Sequence, residues 1–171
     1  KPTEQRQLWH SLWTAGQAYG MKPFGMRAMM SLRLDKFFGS WLAEFSPDYT
    51  AGETGLDRFI DWSKPDDFIG RAAVTAERQV GAKRKLVAFE VEAEDVDAVA
   101  DEPVWIDGRV EGFCTSGGFS HFSQKSVALA LIPRDFAQPG LDIKIEIEII
   151  GQMRKAHILE QPLLHDHRAR Y

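Results

Sequence analysis

With 171 residues, 44% of them hydrophobic and 27% charged, the chain has the length and apolar content for a packed core and is too apolar for wholesale disorder. A net charge of −4 excludes the broad basic face that nucleic acid demands. The lone cysteine, Cys114, rules out an internal disulfide and fits a reducing, cytoplasmic setting, and no apolar run nears the ~20 residues of a membrane span. No secretory leader is expected. The chain opens Lys1-Pro2-Thr3 without an initiator methionine, which sets the expectation of a piece of a longer protein.

Thr3 is suited to cap a helix, and Leu8, Leu12 and Ala15 follow at helical spacing, with Trp9 and Trp13 on an adjoining stripe. An amphipathic helix is predicted from about Glu4 to Tyr19, closed by Gly20, its tryptophans serving as core or interface contacts. Alone, this chain is expected to expose that helix's apolar face and to dimerise through it. Met26 to Met30 reads as a short helical turn, and Ser31 to Phe38 alternates apolar with polar as a strand does. Arg27 and Arg33 lie here, either ion-paired or offering a planar fork to a ligand's polar group. Trp41 to Gly55 reads as loop and Leu56 to Trp62 as a strand. Asp66 or Asp67 caps a helix from about Phe68 to Gln79, with Ile69, Ala72, Ala73, Ala76 and Val80 as its buried face and Gly81 as its stop. Lys83-Arg84-Lys85 reads as a solvated junction.

From Lys85 the hydrophobic period changes from 3.6 to 2. Lys85 to Ala93 alternates, Glu94 to Ala100 is an acidic loop, and Pro103 to Ile106 is a short strand. Asp107-Gly108 supplies the positive-φ pair of a tight hairpin. Val110 to Thr115 and Ser126 to Ile132 read as two strands joined across Ser116-Gly117-Gly118. The glycine pair marks either a barrel corner or a place where a ligand meets bare backbone. After the Pro139-Gly140 turn, Leu141 to Ile150 alternates with an isoleucine face inward; Gly151-Gln152 turns it and Met153 to Leu164 returns. The predicted class is α+β: an N-terminal helical/αβ segment followed by a small six-stranded antiparallel β-barrel, with the boundary near Gly81 to Arg84.

Residue chemistry alone is sparse. His165 and His167 lack a partner at metal-binding spacing. Ser120-His121 has no third member to orient the imidazole. Gln124-Lys125-Ser126 lacks the glycine and the following helix of a phosphate loop. Cys114 reads as a small buried hydrophobe.

Seven segments in order carry a resemblance: L-W-H-S-L-W-T-A-G-Q-A-Y-G from Leu8, G-M-R-A-M-M-S-L-R-L-D-K from Gly25, E-T-G-L from Glu53, D-F-I-G-R-A-A-V from Asp67, K-R-K-L-V-A-F-E-V from Lys83, D-G-R-V-E-G-F-C-T-S-G-G-F-S from Asp107 and K-S-V-A-L-A-L-I-P from Lys125. Together they resemble the folate-binding aminomethyltransferase family that includes the glycine cleavage T-protein, over about Leu8 to Leu164. D-F-I-G-R, T-S-G-G and P-G look closest to the C-terminal part of dimethylglycine and sarcosine dehydrogenases.

The resemblance implies a parent enzyme that passes a one-carbon unit from a small methylated amine to tetrahydrofolate, with FAD possible in an upstream part. Residues 1–83 would be the tail of the folate-binding region and 84–171 the barrel domain. The family's catalytic carboxylate and a pterin-gripping acid have no counterpart here, so no catalytic residue is assigned. Arg27 is the implied folate contact, although Ala28 and Asp35 depart from the T-protein pattern. Thr115, Gly117 and Gly118 are a second implied contact, facing the folate channel, and Arg168 a third. Two alternatives share this fold: a non-catalytic module that binds folate or a partner protein, and a demethylase of sulfonium compounds.

Overall fold

Helix, loop and barrel follow one another along the chain, and the computed structural model describes residues 1–164. Helix α1 spans Pro2–Gln17. It starts before the Thr3 cap suggested by sequence because proline, lacking an N–H, costs nothing in a first turn. Its apolar face is open as expected: Leu8 is 60% and Leu12 56% exposed. The Trp9 and Trp13 rings stack at 5.7 Å.

Helix α2 spans Met26–Asp35 and corrects the predicted strand over Ser31 to Phe38. Met26, Met30 and Leu34 repeat every four residues, so the segment satisfies a helical period as well as an alternating one. Tertiary contact decides between them. Leu34 is buried against Val127, Leu129 and Ala88, and Ser31 Oγ donates to the Phe119 carbonyl at 2.7 Å. Helix α3, Ala51–Thr54, sits inside the predicted loop. Thr50 Oγ1 accepts from the Glu53 amide while Glu53 Oε2 accepts from the Thr50 amide, a reciprocal cap that supports one short turn.

The predicted strand at Leu56 is instead a 3-10 turn, Leu56–Phe59, entered through Gly55 at φ 72°. Helix α4 spans Arg71–Val80, with Gly70 rather than an aspartate at its N-cap. Its predicted buried face is open in this chain: Val80 is 76% exposed and Ile69 fully so. Helical periodicity located the apolar face, but only a packed partner would bury it.

Six strands follow: β1 Arg84–Val91, β2 Pro103–Ile106, β3 Arg109–Ser120, β4 Lys125–Pro133, β5 Ile145–Ile149 and β6 Gln152–Ile158. They close into an antiparallel barrel in the order β1-β4-β3-β2-β5-β6. Asp107 (φ 47°) and Gly108 (φ 78°) turn β2 into β3, as predicted. The last hairpin turns one residue earlier than expected, at Ile150 (φ 49°) and Gly151 (φ 71°), and β5 begins at Ile145 rather than Leu141.

The barrel interior is filled by Phe89, Val104, Cys114, Ala130, Ile132 and Ile147, all without exposed surface. Strand β4 is buried on both faces from Ser126 to Ile132. Ala128, Ala130 and Ile132 point to the interior, while Val127 and Leu129 meet Leu34 of α2 outside. That double burial explains why β4 reads as a continuous apolar run where β5 alternates.

Candidate functional site

The glycine pair does not separate two strands: β3 runs through it to Ser120. The break in pattern lies just before it. Cys114 pairs with Ala130 and Ser116 with Leu129, so Thr115 is an extra residue, a bulge. Successive side chains on a regular strand point to opposite faces, but a bulge can turn two to one side. Here Thr115 and Ser116 both reach Glu44. Thr115 Oγ1 donates to Glu44 Oε1 at 2.8 Å, and Ser116 Oγ donates to the same oxygen.

Glu44 comes from the loop after α2 and its side chain has no exposed surface. Its other oxygen, Oε2, accepts from Arg33 Nη1 at 2.9 Å and from the Ser40 amide at 2.8 Å. Burial by itself would raise this carboxyl's pKa. Hydrogen bonds from Ser116 and the Ser40 amide, the Arg33 charge and the Thr115 hydroxyl outweigh it and hold the pKa below the ordinary glutamate value. The carboxylate is therefore charged, paired and fully committed.

Arg33 Nη1 also donates to the Phe38 carbonyl at 3.0 Å. The arginine side chain is 9% exposed, and its Nε is buried with no acceptor among the described residues. Of the two readings open for Arg33, ion pair or ligand fork, the ion pair is present through Nη1, and the Nε–H is a buried donor without a partner among the described residues.

Beside this network lies an apolar groove of about 770 Å³. Met26, Met29, Met30 and Arg33 of α2 form one wall, Trp41 and Leu42 another, and Thr115 to Gly117 the barrel side. Gly117 belongs here for a packing reason: a Cβ on it would overlap the Ala98 carbonyl. Gly118 is looser, since a Cβ there would meet only Leu34 Cδ1 at 3.4 Å. Arg27 is exposed on α2 and is not among the groove's lining residues. Arg168, His165 and His167 lie outside the described residues. Sequence reading missed Glu44. The signal was a single acid inside W-L-A-E-F, residues 41–45, flanked on both sides by apolar neighbours.

Away from the groove, Arg84 Nε donates to Glu53 Oε1 at 2.8 Å and Lys85 Nζ donates to the Gly52 carbonyl at 2.8 Å, tying α3 to β1. Burial pushes the Cys114 thiol pKa up to about 12, with the nearby Glu102 charge adding to the shift. No described helix is long and apolar enough to cross a membrane, and no three described His, Cys, Asp or Glu residues converge as a metal site.

A closed antiparallel barrel with a helical segment packed on it, and a small-molecule-sized apolar groove between them, defines the class: a two-part fold of helical segment and β-barrel. The family follows from comparison. The glycine cleavage T-protein C-terminal barrel domain matches residues 84–164 and the GCVT N-terminal domain matches residues 1–64, so the chain belongs to the glycine cleavage T-protein, or aminomethyltransferase, family.

Both branches suggested by the motifs are among its relatives. The mitochondrial dimethylglycine dehydrogenases of Mus musculus and Homo sapiens are each 38% identical to it over 92% of this chain. The aminomethyltransferase of Desulfitobacterium hafniense is 34% identical over 92% of this chain. The chain spans 18% of those dehydrogenases and 42% of that aminomethyltransferase. In fold it is similar to the crystal structure of the glycine cleavage system aminomethyltransferase T from Bartonella henselae, with a TM-score of 0.73 at 23% identity, over 82% of this chain and 39% of the other.

Proposed function

We propose that this chain is the C-terminal part of a tetrahydrofolate-dependent, aminomethyltransferase-like enzyme of the dimethylglycine or sarcosine dehydrogenase type. The whole protein would move a one-carbon unit from a small methylated amine to tetrahydrofolate. The observation that carries this reading is the groove between α2 and β3, apolar in its lining and bordered by Arg33, whose buried Nε–H has no partner among the described residues. The identity to dimethylglycine dehydrogenases supports the branch. A reduced folate, with a flat pyrimidinone ring, a flat aryl-amide and many acceptors, fits such a lining. Met29, Trp41 and the Thr115 to Gly117 backbone would hold it, with Gly118 just beyond. When bound, it would supply the one-carbon acceptor.

Arg27, at the exposed end of α2, would meet whatever part of the ligand runs past the groove, and Arg168 is kept as a further contact. Residues 1–83 would complete the folate-binding region and 84–171 would form its barrel wall. FAD, if the parent uses it, would sit in another part of that protein. The upstream part would cover the open faces of α1 and α4; without it, self-association through α1 is the expected substitute. A cytoplasmic location belongs to this proposal.

A second reading has its own support: Glu44, the carboxylate next to the groove, has both oxygens committed to hydrogen bonds. The chain then acts as a non-catalytic folate-binding wall, and the reactive group comes from elsewhere in the parent protein.

The test is product analysis with the whole parent protein, dimethylglycine and tetrahydrofolate. Mass spectrometry should find 5,10-methylenetetrahydrofolate, and Arg27→Ala should weaken folate affinity. Absence of any folate-derived product would overturn the amine-to-folate reading. Methyltetrahydrofolate formed from a sulfonium donor would favour the demethylase alternative.

A further inference from the structure

We infer that Arg33 is a ligand anchor at the floor of the groove and that Glu44 is the positioning residue that aims it. The inference deepens, and rests on, the folate reading above. Its starting point is a donor without an acceptor. Arg33 commits Nη1 to Glu44 and to the Phe38 carbonyl, yet its Nε–H is buried and unpaired among the described residues. Buried N–H groups in folded proteins are almost always satisfied, and a guanidinium has no acceptor of its own with which to compensate. The side chain that carries this donor also lines an open apolar groove, so an acceptor seated there would lie beside the guanidinium.

The rest of the network makes that donor rigid. Glu44 is held from four directions: by Thr115 and Ser116 on one oxygen, by Arg33 and the Ser40 amide on the other. None of its lone pairs is needed for a ligand, so it contributes by fixing the guanidinium plane. The bulge at Thr115 is part of the device, because it lets consecutive hydroxyls grip one carboxylate. Since Glu44 already balances the arginine's charge, the geometry suits a neutral acceptor such as an amide carbonyl or ring nitrogen as well as a carboxylate.

The lining specifies the remainder of the ligand. Thioethers of Met26, Met29 and Met30 and the Trp41 ring give a polarisable surface suited to a flat conjugated body. The groove volume of about 770 Å³ lies in the ~300–1,000 Å³ range of small-molecule sites. The ligand class is therefore a planar conjugated molecule carrying a hydrogen-bond acceptor, the aryl-amide portion of a reduced folate being one case.

The experiment titrates 5-formyltetrahydrofolate into the full chain by calorimetry and follows the Arg33 Nε–H signal by ¹H–¹⁵N NMR. Wild type should bind, with that signal shifting and its exchange with water slowing. Met29→Glu, on a wall residue that is 42% exposed and outside the ion pair, should weaken binding tenfold or more at an unchanged melting temperature. Arg33→Gln should weaken it as much, and Glu44→Gln by a smaller factor. Binding that leaves the Nε–H signal unmoved, or that survives Met29→Glu within twofold, would overturn the anchor while leaving folate binding intact. No binding by wild type at millimolar ligand would overturn folate binding by this chain, and the anchor with it.

Discussion

Arg33 and Glu44, eleven residues apart in sequence, meet at 2.9 Å with the carboxylate wholly buried and the arginine nearly so. The pair joins α2 to its following loop, and through Thr115 and Ser116 it joins both to the barrel. Removing one partner of a buried pair leaves an uncompensated charge, which costs about 3–5 kcal/mol. Glu44→Ala should lower stability by about that much in urea unfolding. Glu44→Gln keeps an acceptor and a similar shape and should cost less. Equal losses for the two variants would mean that the lost charge accounts for the whole effect and the retained shape and acceptor for none of it.

The same carboxylate predicts a pH profile. Its folded pKa lies below the unfolded value of 4.5, so the stability it confers is complete above about 4.5 and is lost as pH falls through the folded value. Glu53 adds in the same sense: burial opposes, but the hydrogen bond from Arg84 and the Thr50 amide hold its pKa down. Urea midpoints should therefore be flat from neutral pH to about 5 and decline below. In Glu44→Gln the decline should be shallower.

Gly117 and Gly118 separate two reasons for a glycine. Gly117→Ala drives a methyl into the Ala98 carbonyl, backbone that cannot turn aside, and should cost at least the ~1–3 kcal/mol typical of overpacking. Gly118→Ala meets the movable end of Leu34 and should cost under about 1 kcal/mol. Thermal melts of the two variants check this, and similar melting temperatures would refute the close-approach account.

Cys114 is buried in the barrel interior with its thiol pKa pushed up to about 12. Only the thiolate is reactive, so a disulfide reagent at neutral pH should modify it no faster than the barrel opens. Denaturant should restore an ordinary rate. Fast labelling of the native chain would mean that the interior is open to solvent.

The barrel was legible because its signals are local. The Asp107-Gly108 turn, the isoleucine alternation of β5 and the apolar run of β4 each fix one element from its own residues. Ser31 to Phe38 was misread because eight residues satisfy either period, and only Leu34 packing on Val127 and Leu129 selects the helix. Glu44 escaped for a related reason: its partners come from α2, its own loop and β3, and no local spacing joins Arg33 to Thr115. Arg27 stood out in the motif order, whereas the structure sets Arg33 beside the groove. The open face of α4 shows the reverse case, in which the apolar periodicity is helical as read but the burial it predicts is absent, Val80 and Ile69 lying exposed.

Barrel closure is uneven. Strand β1 is zipped to β4 along its whole length, from Arg84 opposite Pro133 to Val91 opposite Ser126. To β6 it is paired over a shorter run, where Phe89, Glu90 and Val91 face Ile158, His157 and Ala156, flanked by bonds from the Leu159 amide to the Ala88 carbonyl and from the Glu92 amide to the Lys155 carbonyl. A second seam is as short, β2–β5, where Val104, Trp105 and Ile106 face Ile147, Glu146 and Ile145, so amide exchange at β5 and β6 should outpace exchange at β3 and β4. The groove side of the barrel, carried by the long β3–β4 ladder, would keep its shape while the far side breathes.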